Sequence, residues 1–263
     1  MEADPADLAL ALELASIADA LTRERFGAAD LKVERKPDMT PVTEADTAVE
    51  RALSEHLAEA RPGDAVLGEE YGERHSDGQR RWVLDPIDGT KNFVRGIPVW
   101  ATLIALQDGD APAVGVVSAP ALGRRWWGSR GGGAYVDDGS ATARRLHVSA
   151  VAQLADAQLS ITGFGYWEEQ GRLDAAIALI RACWRTRGLG DFWHHMLVAE
   201  GAVDIAVEPT VSLWDLAAPQ VIVEEAGGCF TDLAGVATPA GGDALATNGL
   251  LHEAALEVVG RSS

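Results

Sequence analysis

Two aspartates three residues apart, Asp85 and Asp88, stand in the segment WVLDPIDGTKNF at 82–93, with Gly89 and Thr90 directly after them. Carboxylate oxygens bind hard cations such as Mg²⁺, whose remaining shell is filled by waters and substrate phosphate oxygens. A helix beginning near Thr90 turns its free N–H groups toward the same loop and makes it an anion site. Acids for a cation and amides for an anion then lie side by side, the pairing that metal-assisted phosphate chemistry needs. The same residues also read as a capped helix, with Asp88 at the cap and Asp85 in a surface turn. A second acidic segment weighs against that reading. VSLWDLAAPQVIVEEAGG at 211–228 again runs apolar residues into an aspartate, Asp215, at the head of a helical pattern.

The elements that position these acids follow from hydrophobic spacing. Trp82-Val83-Leu84 reads as a short buried strand, Pro86 bars a ladder hydrogen bond and Gly89 permits a tight turn. Upstream, Asp4 caps a helix with Pro5 at its first position, and Leu10, Leu14, Ile17 and Leu21 fall on one face down to about Phe26. Residues 30–42 hold Lys36 and two prolines and read as extended or mobile. A second helix from near Thr43 to Ala60 turns Val49, Leu53, Leu57 and Ala60 inward, with Thr43 and Asp46 in a capped first turn. AVLG at 65–68 is the next short strand, Glu69 and Glu70 follow at its end, and YGERHSDGQRR reads as a surface loop.

From 100 to about 149 short apolar runs punctuated by Gly and Asp indicate antiparallel hairpins, including RRWWGSR, where Trp126 and Trp127 point to opposite faces. From about 155 strands alternate with helices, which indicates a second sheet with helical cover. Pro219 is expected in the first turn of the helix after Trp214, where a missing N–H costs little. The expected organisation is α+β, with halves 1–150 and 151–263 forming one compact unit.

Composition sets outer bounds. With 263 residues and 47% hydrophobic content the chain can bury a sizeable core. Its 40 acidic against 22 basic residues give a formal net charge of −18, which argues against nucleic acid or anionic membranes as partners. A phosphorylated small molecule is still acceptable, because bound cations invert the field locally. Two cysteines, Cys183 and Cys229, fit a reduced compartment, and no run reaches the ~18 apolar residues a membrane span needs. The expectation is a soluble cytoplasmic protein.

The chain resembles the inositol monophosphatase family of Mg²⁺-dependent phosphomonoesterases. The resemblance rests on GEE at 68–70, DPIDGTKNF at 85–93 and WDLAA…EEAGG at 214–228, in that order. It implies a layered α/β/α/β/α sandwich of the inositol monophosphatase and fructose-1,6-bisphosphatase type, a homodimer, and two or three Mg²⁺ ions per active site. By motif position, Glu69, Asp85 and the Ile87 carbonyl are expected to bind one ion, and Asp85, Asp88 and Asp215 another. Thr90 with Asp46 and Glu69 is expected to orient the attacking water, and the Gly89 and Thr90 amides to hold phosphate. Lys36 matches a basic residue on a mobile loop near the metals, and Glu208 matches the acid that holds a substrate hydroxyl. From the residues alone, Glu69 and Glu70 also read as exposed loop acids, Lys36 as a solvated lysine and Glu208 as a strand-end surface acid.

One segment departs from the inositol-specific pattern. GLGDFWHHMLVAEGAVDI at 188–205 places Asp191, Phe192 and Trp193 where small residues are usual, and it resembles the actinobacterial histidinol-phosphatase branch. That branch implies a substrate with an amine and an imidazole, L-histidinol phosphate, which Asp191 and Glu208 would complement, with Glu44 as a further contact. Asp191 also reads as a helix N-cap, and Trp193, His194 and His195 as packing or exposed helix residues. An inositol-1-phosphate phosphatase, or another sugar or nucleotide phosphatase, is the alternative enzyme; a non-catalytic metal- or phosphate-binding scaffold is the alternative from another class.

Overall fold

The computed structural model describes residues 2–37, 39–76 and 78–260. Two antiparallel-packed helices open the chain, α1 (Pro5–Arg25) and, after the two-stranded hairpin β1 (Val33–Arg35) and β2 (Pro41–Thr43), α2 (Glu44–Ala60). Asp4 caps α1 by accepting from the Ala6 amide at 2.9 Å. Segment 30–42 is thus a hairpin, whose cross-strand bonds hold the chain extended as Pro37 and Pro41 alone would not. Next come β3 (Ala65–Gly68), β4 (Gly72–Arg74), β5 (Arg80–Asp88), α3 (Thr90–Val94), β6 (Ala101–Asp108), β7 (Ala111–Ala119), β8 (Arg124–Ser129), β9 (Gly133–Asp137) and β10 (Arg144–Arg145). They build one sheet in the order β10-β9-β8-β7-β6-β5-β3-β4, antiparallel except for the β3–β5 pair. The segment read as a surface loop after Glu70 therefore contains one of the sheet's two exposed edge strands, β4, paired with β3. Asp38 and Asp77, within the two segments just revised, lie outside the described residues.

The second half supplies β11 (Gln158–Ile161), α4 (Phe164–Glu169), α5 (Leu173–Ala182), β12 (Arg185–Arg187), α6 (Asp191–Ala199), β13 (Ile205–Glu208), α7 (Leu213–Glu225), β14 (Cys229–Thr231), β15 (Ala244–Thr247) and α8 (His252–Val259). Its five strands run β12-β11-β13-β15-β14, parallel on the β11 side and antiparallel around β15. Helix α4 had no counterpart in the sequence pattern, since FGYWEE is under two turns long and, with Phe164 and Tyr166 exposed, buries only Trp167.

Strand periodicity sorts the side chains into five layers. Trp82 and Leu84 of β5, with Ile104 and Leu106 of β6, pack under Leu14, Val49, Leu53 and Leu57 of α1 and α2. On the opposite face Val83, Leu103 and Val117 meet Phe192 and Met196 of α6 and Leu216 and Ile222 of α7. The same two helices touch Ala206, Phe230 and Ala246 of the smaller sheet, whose far face is covered by Leu179 of α5 and Ala255 of α8. The chain is an α/β/α/β/α sandwich whose middle layer, α6 and α7, is shared by both sheets. Trp126 is sealed in the inner core, and Trp127 on the other face stacks on Tyr135 at 6.1 Å.

Helix α7 lies unusually close to the large sheet. A Cβ on Gly115 of β7 would come 2.5 Å from the Ala218 carbonyl oxygen, so glycine is what allows this approach. Pro219 is the seventh residue of α7, beyond the first turn where the sequence placed it. Without an amide it makes no bond back to the carbonyl of Asp215, four residues earlier, so one rung of the helix ladder is given up beside a site residue. No helix among the described residues is long and apolar enough to cross a membrane.

Candidate active site

Strand β5 does not end at Leu84 but runs through Asp88. Its pairing with β6 slips between Asp85 and Asp88, where Pro86 lacks a ladder donor and its carbonyl instead accepts from the Thr102 hydroxyl at 2.7 Å. That irregularity brings Asp85 and Asp88, an odd number of residues apart, onto one site. Asp215 arrives from the first turn of α7, where its Oδ2 accepts from the Ser212 amide at 2.8 Å. The ligand oxygens of Asp85, Asp88 and Asp215 all lie within 4.8 Å of one another.

Three carboxylates this close and this buried repel one another. Burial, reinforced by the charges of Glu69, Asp88 and Asp215, drives the Asp85 carboxyl well above its ordinary range. Burial and the charges of Asp191 and Asp215 do the same to Asp88. Asp215 is pushed up to about 7 by burial, against the Ser212 amide that favours its anion. Asp85 Oδ1 is buried with no hydrogen-bond partner. An all-oxygen set with an orphaned acceptor suits a hard divalent cation, which supplies the missing partner and cancels the repulsion.

Glu69 approaches closely enough to raise Asp85 but is not gathered into that trio. Its carboxylate pairs with Lys36 at 2.7 Å, and Lys36 reaches Glu70 at the same distance. Burial opposes the Lys36 charge, yet the two glutamates hold its ammonium above the usual lysine range. Glu70 is raised to about 7, chiefly by burial. Sequence reasoning missed the residue that places this segment. Buried Glu50 accepts from the amides of Glu70 and Tyr71, each at 2.8 Å. A charge in an otherwise inward-facing helical stripe, four residues after Asp46, was the available signal. Gly68 makes room for it: a Cβ there would fall 1.9 Å from Glu50 Oε1. Gly68→Ala should therefore swing Glu50 off both amides and release Glu69, lowering kcat/KM by about tenfold to a hundredfold. Thermal unfolding measured alongside should show a loss of only about 1–3 kcal/mol.

Asp46 caps its helix and also reaches toward Thr90. Its Oδ2 accepts from the Thr43 amide at 2.7 Å and from the Thr43 hydroxyl at 2.5 Å, capping α2, while Oδ1 lies 3.3 Å from the Thr90 hydroxyl. The Thr90 hydroxyl has one proton and a nearer acceptor in the Ile87 carbonyl at 2.9 Å, so it donates there more strongly. Gly89 takes the left-handed turn, φ 80°, that leads into α3. Glu44 is turned elsewhere: its carboxylate pairs with Arg25 at 2.5 Å and does not line the cavity, which removes it from the expected substrate contacts.

A cavity of about 730 Å³ opens over these groups, lined by Lys36, Glu69, Asp88, Thr90 and Asp215 together with Asp191, Glu208, Trp214 and Tyr166. Asp191 is the first residue of α6 and adopts φ 48°; the cap position falls to Gly190, so Asp191 is not an N-cap. Its Oδ2 accepts from Asn92 at 3.1 Å, and burial followed by the charge of Glu208 raises its carboxyl. The next amide, Phe192, donates to Asp88 Oδ2 at 2.5 Å, tying the α6 terminus to the acidic trio. Glu208 is not a surface acid. Its Oε1 sits 2.7 Å from His194 Nε2 and 3.0 Å from His195 Nε2, and both rings are buried. Burial opposes its ionisation, yet the two imidazoles hold the Glu208 carboxyl down to about 2. The adjacent histidines, expected to pack or face solvent, instead grip this acid. Lys91, 3.2 Å from the Tyr166 hydroxyl, lines the same cavity.

Residues 6–262 match the model of the inositol monophosphatase family. A histidinol-phosphatase of Streptomyces coelicolor is 57% identical over 251 residues, covering 94% of each chain. A histidinol-phosphatase of Mycobacterium tuberculosis is also 57% identical, covering 95% of this chain and 96% of its own. Among solved structures, an inositol monophosphatase from Zymomonas mobilis superposes with a TM-score of 0.84 at 31% identity, covering 96% of this chain and 97% of its own.

Proposed function

The chain belongs to the inositol monophosphatase family, and we propose that it is a phosphoric monoester hydrolase that releases phosphate from L-histidinol phosphate with Mg²⁺ held by its acidic trio. The gathered carboxylates of Asp85, Asp88 and Asp215 beside a cavity carry the hydrolase reading. The proposed ligands are Glu69, Asp85 and the Ile87 carbonyl for one ion, and Asp85, Asp88 and Asp215 for another. When bound, the ions supply Lewis acidity, neutralising phosphoryl oxygens and acidifying the attacking water. Thr90 with Asp46 and Glu69 orients that water, and the Gly89 and Thr90 amides with Lys36 hold the phosphate. No side chain need be phosphorylated. The same proposal includes a cytoplasmic homodimer, the family's usual assembly.

The substrate assignment rests on two further acids that line the cavity beside the trio. Asp191 and Glu208 are acids that line the cavity, suited to an ammonium or an imidazole N–H. Asp191→Asn preserves the left-handed backbone, which asparagine tolerates, and removes only the charge. It should lower kcat/KM for L-histidinol phosphate by about tenfold to a hundredfold, the worth of a charge-assisted hydrogen bond, and that for p-nitrophenyl phosphate by less than about threefold. Equal losses on the two substrates would remove the argument for amine or imidazole recognition. Faster turnover of inositol 1-phosphate by the unaltered enzyme would move the assignment to the polyol branch.

A further inference from the structure

Both helices of the shared middle layer end on a glutamate: Glu225 is the last residue of α7, and Glu200 caps α6. A helix C-terminus carries partial negative charge, so an acid there is disfavoured unless something outside the helix holds it. Each is held by the β8–β10 end of the large sheet. Glu225 accepts from the amides of Gly131 and Gly133 at 2.7 and 2.8 Å, in the turn between β8 and β9 where both glycines take positive φ and bring two N–H groups to one carboxylate. Glu200 accepts through one oxygen from Arg124 at 2.9 Å and the Trp126 indole at 2.8 Å, and through the other from Arg144 at 2.9 Å.

The opposite ends of the same helices reach the acidic trio. Asp215 lies in the first turn of α7, ten positions before Glu225 and about 15 Å from it along the axis. Phe192, the second residue of α6, gives its amide to Asp88, and its ring packs 6.1 Å from Trp126, whose indole holds Glu200. Little else stops α7 from sliding. Gly115 and Gly128 face it without side chains to interlock, a Cβ on Gly128 coming 3.2 Å from the Ile222 Cα, and Pro219 gives up one rung of its ladder. We propose that Glu200 and Glu225 are positioning residues, anchors that set how far α6 and α7 reach toward the trio and so the spacing of Asp88 and Asp215. A misplacement of about 1 Å at a reacting centre is enough to cost on the order of a hundredfold in rate. The inference rests on the reading of Asp85, Asp88 and Asp215 as a cation site.

The test titrates Mg²⁺ into the full chain without substrate, following the melting temperature, and repeats the titration by p-nitrophenyl phosphate hydrolysis. Glu200→Ala and Glu225→Ala should each weaken Mg²⁺ by about tenfold in both measurements, as the loss of a group that orients metal ligands does. Glu200→Gln keeps an acceptor for the Trp126 indole and Glu225→Gln keeps one for a glycine amide, so each should show a smaller loss in the same direction, and these two decide the matter if an alanine variant does not fold. Leu179→Ala, buried in the outer core away from α6 and α7, should lower the melting temperature and leave Mg²⁺ affinity unchanged. Native Mg²⁺ affinity in the folded glutamate variants, or an equal loss in Leu179→Ala, overturns the anchoring role and spares the proposed function. An unaltered chain whose melting temperature and hydrolysis both ignore Mg²⁺ overturns the proposed function, and this inference with it.

Discussion

Asp85→Asn should lower kcat by on the order of 10³-fold or more while raising the melting temperature of the metal-free protein. The two effects have one cause. Asp85 is 1% exposed, has an oxygen without a partner and lies against Asp88 and Asp215, so its charge is costly to the fold and is what a cation would seek. The amide is nearly isosteric, so the packing of β5 against α7 is preserved and the repulsion alone is removed. For a chain of this length each kcal/mol relieved is worth about 2–4 °C. Calorimetry in EDTA together with a phosphate-release assay in Mg²⁺ separates this outcome from simple misfolding, which would lower both. Wild-type turnover in the variant would reject Asp85 as a ligand.

Chelating divalent cations should abolish phosphate release, and adding Mg²⁺ should restore it in full. The chelated protein should also show a particular pH dependence. Asp85, Asp88 and Asp215 are all raised above the ordinary carboxyl value of 3.8, with Asp215 near 7, so the folded state binds protons more tightly than the unfolded chain. Their contribution to stability is complete below about pH 4 and is lost as pH rises through the folded values. The melting temperature in EDTA should therefore fall between pH 5 and pH 8, and saturating Mg²⁺ should flatten or reverse the fall. A melting temperature that rises over this interval in EDTA and ignores Mg²⁺ would show that the carboxylates are not coupled around a cation.

Local chemistry made part of this molecule readable in advance. Asp85, Asp88, Asp215 and the helices α1 and α2 were legible because caps, apolar spacing and the motif order are written in contiguous residues. The strand character of Gly72–Arg74 was not, since an exposed edge strand has no apolar alternation to betray it and exists only because β3 lies beside it. Nor did spacing predict Pro219 well inside α7, where packing on the large sheet compensates for a lost backbone bond.

The order of residue types along the chain pointed to an α+β fold with two sheets and to Asp85, Asp88 and Asp215 as candidate cation ligands, while the layered sandwich and the phosphatase chemistry came from the family resemblance of the motifs. It could not say which acids meet. Glu69 turning to Lys36, Glu44 to Arg25, Glu50 to the backbone of its neighbours and Glu208 to a pair of buried histidines are all settled by where separate elements pack. A carboxylate's partner is chosen by distance and burial in three dimensions. Residues 13 and 14 positions apart on a helix and a strand come within 3.0 Å only once both sheets have closed on the shared α6–α7 layer.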